Sequence, residues 1–166
     1  MPTSIYARFP VICRRLEPAI RRLLHSYWRL ARGLTLGVRA VVINRDGKVF
    51  LVAHSYVDGW HLPGGGVEAG ETFAAALARE LREEGNIELV DPPQLFAIYF
   101  NRRASRRDHV ALYVVRSFRQ PSPPQPNHEI VAHGFFAADR LPSDTSRATR
   151  ERLAEVLSGR AAAALW

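Results

Sequence analysis

The stretch RELREEGNI crowds three glutamates onto one side of a predicted helix, at Glu80, Glu83 and Glu84. Side chains at positions i, i+3 and i+4 share a helix face, so the three carboxylates lie within one turn of each other. They repel one another and also oppose the negative end of the helix dipole, because Gly85 and Asn86 are typical of a helix end. A divalent cation would compensate this charge, since Mg²⁺ and Mn²⁺ prefer carboxylate ligands.

Arginines in the same segment offer a simpler explanation. Arg79 and Arg82 could pair with the glutamates as exposed ion pairs, which contribute little to stability. The preceding residues favour the metal, because glycines 64–66 follow Pro63 and allow the backbone to turn tightly and approach a ligand. Thr72 is then the predicted N-cap of an amphipathic helix. Its apolar residues recur at four-residue steps, at Phe73, Leu77 and Leu81.

This stretch resembles the Nudix box, whose pattern is G-x5-E-x7-R-E-U-x-E-E-x-G-U, with U an aliphatic residue. The match runs from Gly65 to Ile87 and places Glu71 at the isolated glutamate. One position departs from the pattern, because Asn86 stands where the box has its final glycine. That position is expected to need a left-handed backbone, for which asparagine is the next-best residue, so the departure leaves the candidate ligands intact. The flanking strands extend the resemblance more weakly over residues 35–160.

The resemblance implies an α/β fold, namely the Nudix α/β/α sandwich with a mixed β-sheet. It also implies hydrolysis of a nucleoside diphosphate linked to another moiety, by water activated at bound Mg²⁺ or Mn²⁺. The implied metal ligands are Glu80, Glu83, Glu84 and a backbone carbonyl of the glycine loop at Gly65. Glu71 and Arg79 are expected to support the site through an ion pair between loop and helix.

The expected catalytic residues are Glu83, Glu84 and Glu129. Glu129 begins the segment EIVAHGFF and is a candidate general base or further metal ligand, with His128 and His109 as weaker candidates. Trp60 could stack on a nucleobase or could close the core beneath the glycines. Arginines between two predicted strands could attract an anionic substrate, at Arg102, Arg103, Arg106 and Arg107.

Composition bounds the class of protein. The chain has 166 residues, of which 47% are hydrophobic and 23% charged, as expected for one globular domain with a substantial core. A formal net charge of +7 suits phosphate-rich ligands, but no nucleic-acid-binding signature accompanies it. The resemblance implies a nucleotide-type small molecule as the partner, and a homodimer stays open. The single cysteine, Cys13, excludes an internal disulfide. With no apolar run of membrane length, these features predict a cytoplasmic location.

The chain is predicted to divide into an N-terminal extension, residues 1–33, and a catalytic domain, residues 34–166. Residues 17–30 of the extension have the pattern of a basic amphipathic helix. In the domain, TLGVRAVVINRDGKVFLVAHS predicts a hairpin, and three later apolar segments predict strands. A C-terminal helix is predicted to be capped by Asp144 or Thr145 and ended by Gly159.

Two alternative functions remain open. A Nudix fold could bind nucleotides as a regulator without turnover, although the complete carboxylate set argues against this. The basic N-terminal helix could instead associate with a membrane or RNA. Residues that mark individual Nudix subfamilies are absent, so the substrate is open among nucleoside triphosphates, nucleotide sugars and dinucleotides.

Overall fold

The computed structural model describes residues 33–125 and 128–166. The predicted N-terminal helix and Cys13 lie outside these residues. Strands account for more of the described residues than helices do: β1 (Thr35–Val42), β2 (Val49–His54), β3 (Trp60–His61), β4 (Glu88–Leu89), β5 (Gln94–Phe100), β6 (Asp108–Val115), β7 (Phe118–Arg119) and β8 (Ile130–Phe136). The helices are α1 (Phe73–Gly85) and α2 (Arg147–Ser158), and neither is long and apolar enough to cross a membrane.

The strands pair into a mixed sheet and an antiparallel sheet. In the mixed sheet, β6 lies between β1, which runs parallel to it, and β5, which runs antiparallel. In the antiparallel sheet, β2 lies between β3 and β8, while β4 and β7 form a separate short pair. The predicted α/β architecture with mixed strand directions is therefore confirmed.

Alternating side chains of β1 face two separate apolar cores. Val38 and Ala40 belong to the core that also contains Leu77 and Leu81 of α1. Val41, one position out of phase, belongs to the core that contains Leu153 of α2. Successive strand side chains point to opposite faces, so this division places one helix on each face of the strands.

The prediction that β1 and β2 pair as a hairpin is wrong, except for the turn that connects them. The chain turns at Gly47, which has a φ of 75°, and a single bridge joins Ile43 to Val49. Beyond this bridge the two strands separate, because β1 pairs with β6 and β2 pairs with β8. The near-continuous apolar runs of both strands are typical of strands buried inside a domain, and they do not by themselves specify the pairing partner.

Local capping sets the ends of both helices. The hydroxyl of Thr72 accepts a hydrogen bond from Ala75 N–H, as predicted for the start of α1. Asn86 follows α1 in the left-handed conformation, with φ 49° and ψ 39°, which confirms the backbone expected where the box pattern has glycine. At α2 the N-cap is Ser146 rather than Asp144 or Thr145, and Gly159 ends the helix as predicted.

Gly85 is required for its size. A Cβ at this position would lie 2.8 Å from Cδ1 of Ile87 and 3.0 Å from Cε1 of Phe50. We expect Gly85→Ala to lower the free energy of unfolding by about 1–2 kcal/mol, because overpacking outweighs the gain in helix propensity. Asn86→Gly should change it by less than about 1 kcal/mol, because the ease with which glycine adopts the left-handed backbone offsets the loss of the two exposed hydrogen bonds from Asn86 Nδ2 to Ser122. Urea denaturation measures both values, and an equal loss in the two variants would contradict the packing argument.

Candidate active site

Arg79 joins the glycine loop to α1. Its Nε and Nη2 donate to the two carboxylate oxygens of Glu71, at 3.1 and 3.2 Å. Nη2 also donates to the carbonyl of Gly66 at 3.0 Å, while Nη1 donates to Glu80 at 2.7 Å and lies 3.5 Å from Glu83. The hydrogen bonds with Glu71 raise the pKa of Arg79 and lower that of Glu71. The expected contact between Glu71 and Arg79 is therefore present as a bidentate ion pair.

Glu84 binds the same loop from the buried side of α1. Its Oε2 accepts a hydrogen bond from Gly64 N–H at 2.7 Å. Burial raises the pKa of Glu84 to about 7, and the nearby Arg39 opposes this shift only in part. Its Oε1 lies 3.5 Å from Nε2 of His54, whose pKa is lowered by burial and then by Arg39. The imidazole is therefore neutral near pH 7 and does not compensate the charge of an ionised Glu84.

Glu80 packs against Gly65. A Cβ at Gly65 would overlap the Glu80 carboxylate, so a larger residue in the loop would displace that side chain. Burial raises the pKa of Glu80, although the hydrogen bond from Arg79 opposes the shift. The carbonyl of Gly65 accepts a hydrogen bond from Val38 N–H at 2.9 Å. Gly65 is thus held between β1 and the carboxylate of Glu80.

The three glutamates of α1 share a face, but their carboxylates diverge. Glu80 and Glu84 pack against the glycine loop, whereas the side chain of Glu83 is 59% exposed. Among the described residues, no three acidic, histidine or cysteine side chains converge closely enough to hold a metal ion. The predicted metal ligands are therefore brought to one place but not into a preformed cluster, and their role as ligands stays a prediction.

Arg39 is a site residue that the sequence analysis missed. It lies in β1, and its Nη1 donates to the carbonyl of Leu62 at 3.0 Å and to that of Gly64. It is also close enough to oppose the raised pKa values of Glu84 and Glu80, for both of which burial is the main cause. The only signal in the sequence is a single arginine within the apolar strand GVRAVV.

The ends of β2 and β8 bring Glu129 towards α1. The pairing of the two strands shifts register at His54, and Ser55 N–H then donates to the carbonyl of Glu129 at 2.8 Å. The hydroxyl of Tyr56 donates to Oε1 of Glu129 at 3.1 Å. The charge of Glu129 adds to the raised pKa of Glu84, after the larger effect of burial. Glu129 is therefore close enough to Glu84 to affect its pKa, while its role as a base or further metal ligand stays a prediction.

Trp60 packs into the apolar core on the α2 side. Its ring meets Phe136 edge to face, with centroids 4.8 Å apart, and it borders the core that contains Leu153. This contact corresponds to the core-closing alternative, while stacking of Trp60 on a nucleobase stays a prediction. His109 stacks on Phe100 at 5.3 Å.

The arginines after β5 lie on an exposed turn. The residues concerned are Arg102, Arg103, Arg106 and Arg107. Arg103 is near α2, because it contributes, after Arg147 and Arg152, to the lowered pKa of Glu151. None of these observations tests whether the turn attracts an anionic substrate, so that role stays a prediction.

Comparison with known proteins identifies the family. The model of the NUDIX domain matches residues 33–157. An RNA pyrophosphohydrolase from Hydrogenovibrio crunogenus is 39% identical over 61 residues, which cover 37% of this chain and 37% of that protein. The crystal structure of a MutT NUDIX hydrolase from Burkholderia pseudomallei superimposes with a TM-score of 0.63 at 29% identity, covering 74% of this chain and 97% of that one. An ADP-ribose pyrophosphatase from Streptococcus suis gives a TM-score of 0.60 at 26% identity, covering 80% and 96%.

The chain therefore belongs to the NUDIX domain family. Hydrolases of this family generally need a divalent metal ion. The match to the curated relative from Hydrogenovibrio crunogenus spans little more than a third of that protein, although the similar crystal structures are covered almost completely.

The burial of Glu84 predicts an effect of pH on stability. Because folding raises its pKa from 4.5 to about 7, the stability that the protonated side chain provides is complete below pH 4.5 and is lost as the pH rises through 7. We expect Glu84→Gln to raise the Tm in metal-free buffer at pH 8 and to change it little at pH 5. Thermal unfolding in chelator at both pH values measures this, with Glu88→Gln on the exposed edge of β4 as control. An equal rise of Tm at both pH values would contradict the assignment.

Proposed function

We propose that this chain hydrolyses a pyrophosphate bond in a nucleoside diphosphate linked to another moiety, with Mg²⁺ or Mn²⁺ as cofactor. The observation that carries this proposal is the attachment of the carboxylate face of α1 to the glycine loop. Arg79 makes this attachment on one side and Glu84 makes it on the other. The complete set of box carboxylates and the family membership support catalysis rather than binding alone.

The residues of the site fit a hard divalent cation. Their donors are carboxylate and carbonyl oxygens, and burial leaves the pKa values of Glu80 and Glu84 raised even with Arg79 and Arg39 nearby. Burial of this kind disfavours the ionised carboxylates, and a bound cation would stabilise them. The proposed ligands are Glu80, Glu83, Glu84 and the carbonyl of Gly65. When bound, the cation would supply neutralisation of phosphate charge and a more acidic water.

The protein's own groups have separable roles in this proposal. Arg79 and Glu71 hold the loop at a fixed distance from α1, so Gly65 stays beside the carboxylate of Glu80. Glu83 is exposed and can rotate towards the substrate side. Glu129 is the proposed base that removes a proton from the attacking water.

The proposed substrate is a nucleotide-type small molecule. A nucleotide-type small molecule agrees with the family, whereas the similar proteins are named for RNA and for ADP-ribose. The exposed arginines after β5 and the ring of Trp60 are the proposed substrate contacts. A cytoplasmic location and a homodimer are parts of the same proposal.

Chromatographic analysis of the products from a nucleotide panel tests the function, because hydrolysis of the pyrophosphate bond yields a nucleoside monophosphate and the phosphorylated second moiety rather than free phosphate. The panel should contain nucleoside triphosphates, nucleotide sugars and dinucleotides, each with Mg²⁺, with Mn²⁺ and with excess chelator. We expect turnover of at least one substrate that disappears in chelator and returns with either ion. Nucleotide binding without turnover would support the regulator, and co-sedimentation with liposomes or RNA that is lost when residues 1–33 are deleted would support the surface-associated alternative.

Glu83→Gln is the sharpest single test of the carboxylate site. The amide keeps the shape of the side chain but loses its charge, so we expect kcat to fall by about two to four orders of magnitude. Folding should be preserved because the side chain is exposed. Glu88→Gln removes the same charge just beyond α1 and should leave kcat unchanged. Near-normal turnover by Glu83→Gln would contradict the mechanism.

A further inference from the structure

Two consecutive residues after β2 fix the segment that carries Glu129. Ser55 N–H donates to the carbonyl of Glu129 at 2.8 Å, and Ser55 Oγ donates to the carbonyl of His128 at 2.7 Å. The Tyr56 hydroxyl donates to Oε1 of Glu129 at 3.1 Å. Backbone and side chain of Glu129 are therefore both held by the connection between β2 and β3.

The ring of Tyr56 also connects this segment to α1. It packs on the ring of His54, with centroids 5.0 Å apart and planes inclined by 36°. His54 is buried and lies 3.5 Å from Glu84, while neither of its ring nitrogens makes a hydrogen bond among the described residues. Tyr56, His54 and Glu84 thus form a continuous series of contacts that ends at Glu129 on one side and at α1 on the other.

The hydroxyl of Tyr56 has no role in core packing. The residue is 69% exposed, so loss of the hydroxyl would leave the apolar core unchanged. The carboxylate of Glu129 follows a loop and has several rotatable bonds, so holding it in one orientation requires a specific contact. A hydrogen bond from a neutral donor to an ionised carboxylate is strong enough to do this.

We propose that Tyr56 is a positioning residue for Glu129, which it holds beside the carboxylates of α1 through its hydroxyl group. This inference rests on the proposed hydrolytic function, because it assigns Tyr56 an effect that acts through the base. Tyr56 need not contact the substrate itself. A carboxylate that is already oriented for proton transfer lowers the entropic part of the activation barrier. Loss of the Tyr56 hydroxyl should therefore lower kcat rather than raise KM.

A double-mutant cycle tests the proposal. The variants are Tyr56→Phe, Glu129→Ala and the double variant, assayed with Mg²⁺ and the substrate of the nucleotide panel that the unmodified protein hydrolyses fastest. Tyr56→Phe keeps the ring on His54 and removes only the hydroxyl, so we expect kcat to fall about tenfold with KM nearly unchanged. In the Glu129→Ala background the same change should alter kcat by less than about twofold, because the group that it positions is gone.

The chain offers a matched control in Tyr99. Its hydroxyl donates to Oε2 of Glu155 at 2.7 Å, which is the same chemistry at a buried position against α2. Tyr99→Phe should lower the Tm and leave kcat unchanged, whereas Tyr56→Phe should lower kcat and leave the Tm unchanged.

Three results would overturn the proposal. Tyr56→Phe could retain full kcat, it could lower kcat by the same factor with and without Glu129, or Glu129→Ala could itself retain full kcat. In each case the unmodified protein still hydrolyses nucleotides, so the proposed hydrolysis stands and the role of Tyr56 falls. In the third case the role of Glu129 as base falls with it. Absence of turnover in the unmodified protein, across the whole panel with Mg²⁺ and Mn²⁺, would overturn both.

Discussion

The bidentate contact between Arg79 and Glu71 fixes the glycine loop against α1, and the rest of the site depends on that distance. The same guanidinium also binds Gly66 and Glu80, so it joins loop backbone, loop carboxylate and helix carboxylate at one point. A lysine would supply the charge without the planar pair of donors. The geometry of arginine, more than its charge, therefore explains why this position of the box carries it.

Close to this contact lie two carboxylates whose burial disfavours their ionised form. Burial raises the pKa values of both Glu80 and Glu84, and the nearby histidine is neutral rather than compensating. Arg39 of β1 donates to the carbonyls of Leu62 and Gly64, and its charge only partly opposes the raised pKa of Glu84. The ionised carboxylates oppose folding, so binding of the proposed cation would raise stability through the same side chains.

Local spacing predicted the parts of the site that depend on neighbours in sequence. The start of α1 at Thr72, its left-handed end at Asn86 and the contact between Arg79 and Glu71 follow from residues close together in the chain. The hairpin failed because β1 pairs with β6, which is 73 positions away at Thr35 and Asp108. Arg39, His54 and Tyr56 were missed for the same reason, since their roles exist only after distant strands have paired.

This division between local and distant contacts also explains why the family is clearer than the substrate. The proposed metal ligands belong to one loop and one helix, which lie in one short stretch of sequence. The proposed base and substrate contacts lie instead just before β8, in β3 and in the turn after β5, which are separate parts of the chain. Proteins named for RNA and for ADP-ribose accordingly share sequence or fold with this chain. On the proposed function, a change of substrate would require changes only at strand ends and turns, while the contact between Arg79 and the glycine loop would keep the carboxylates in place.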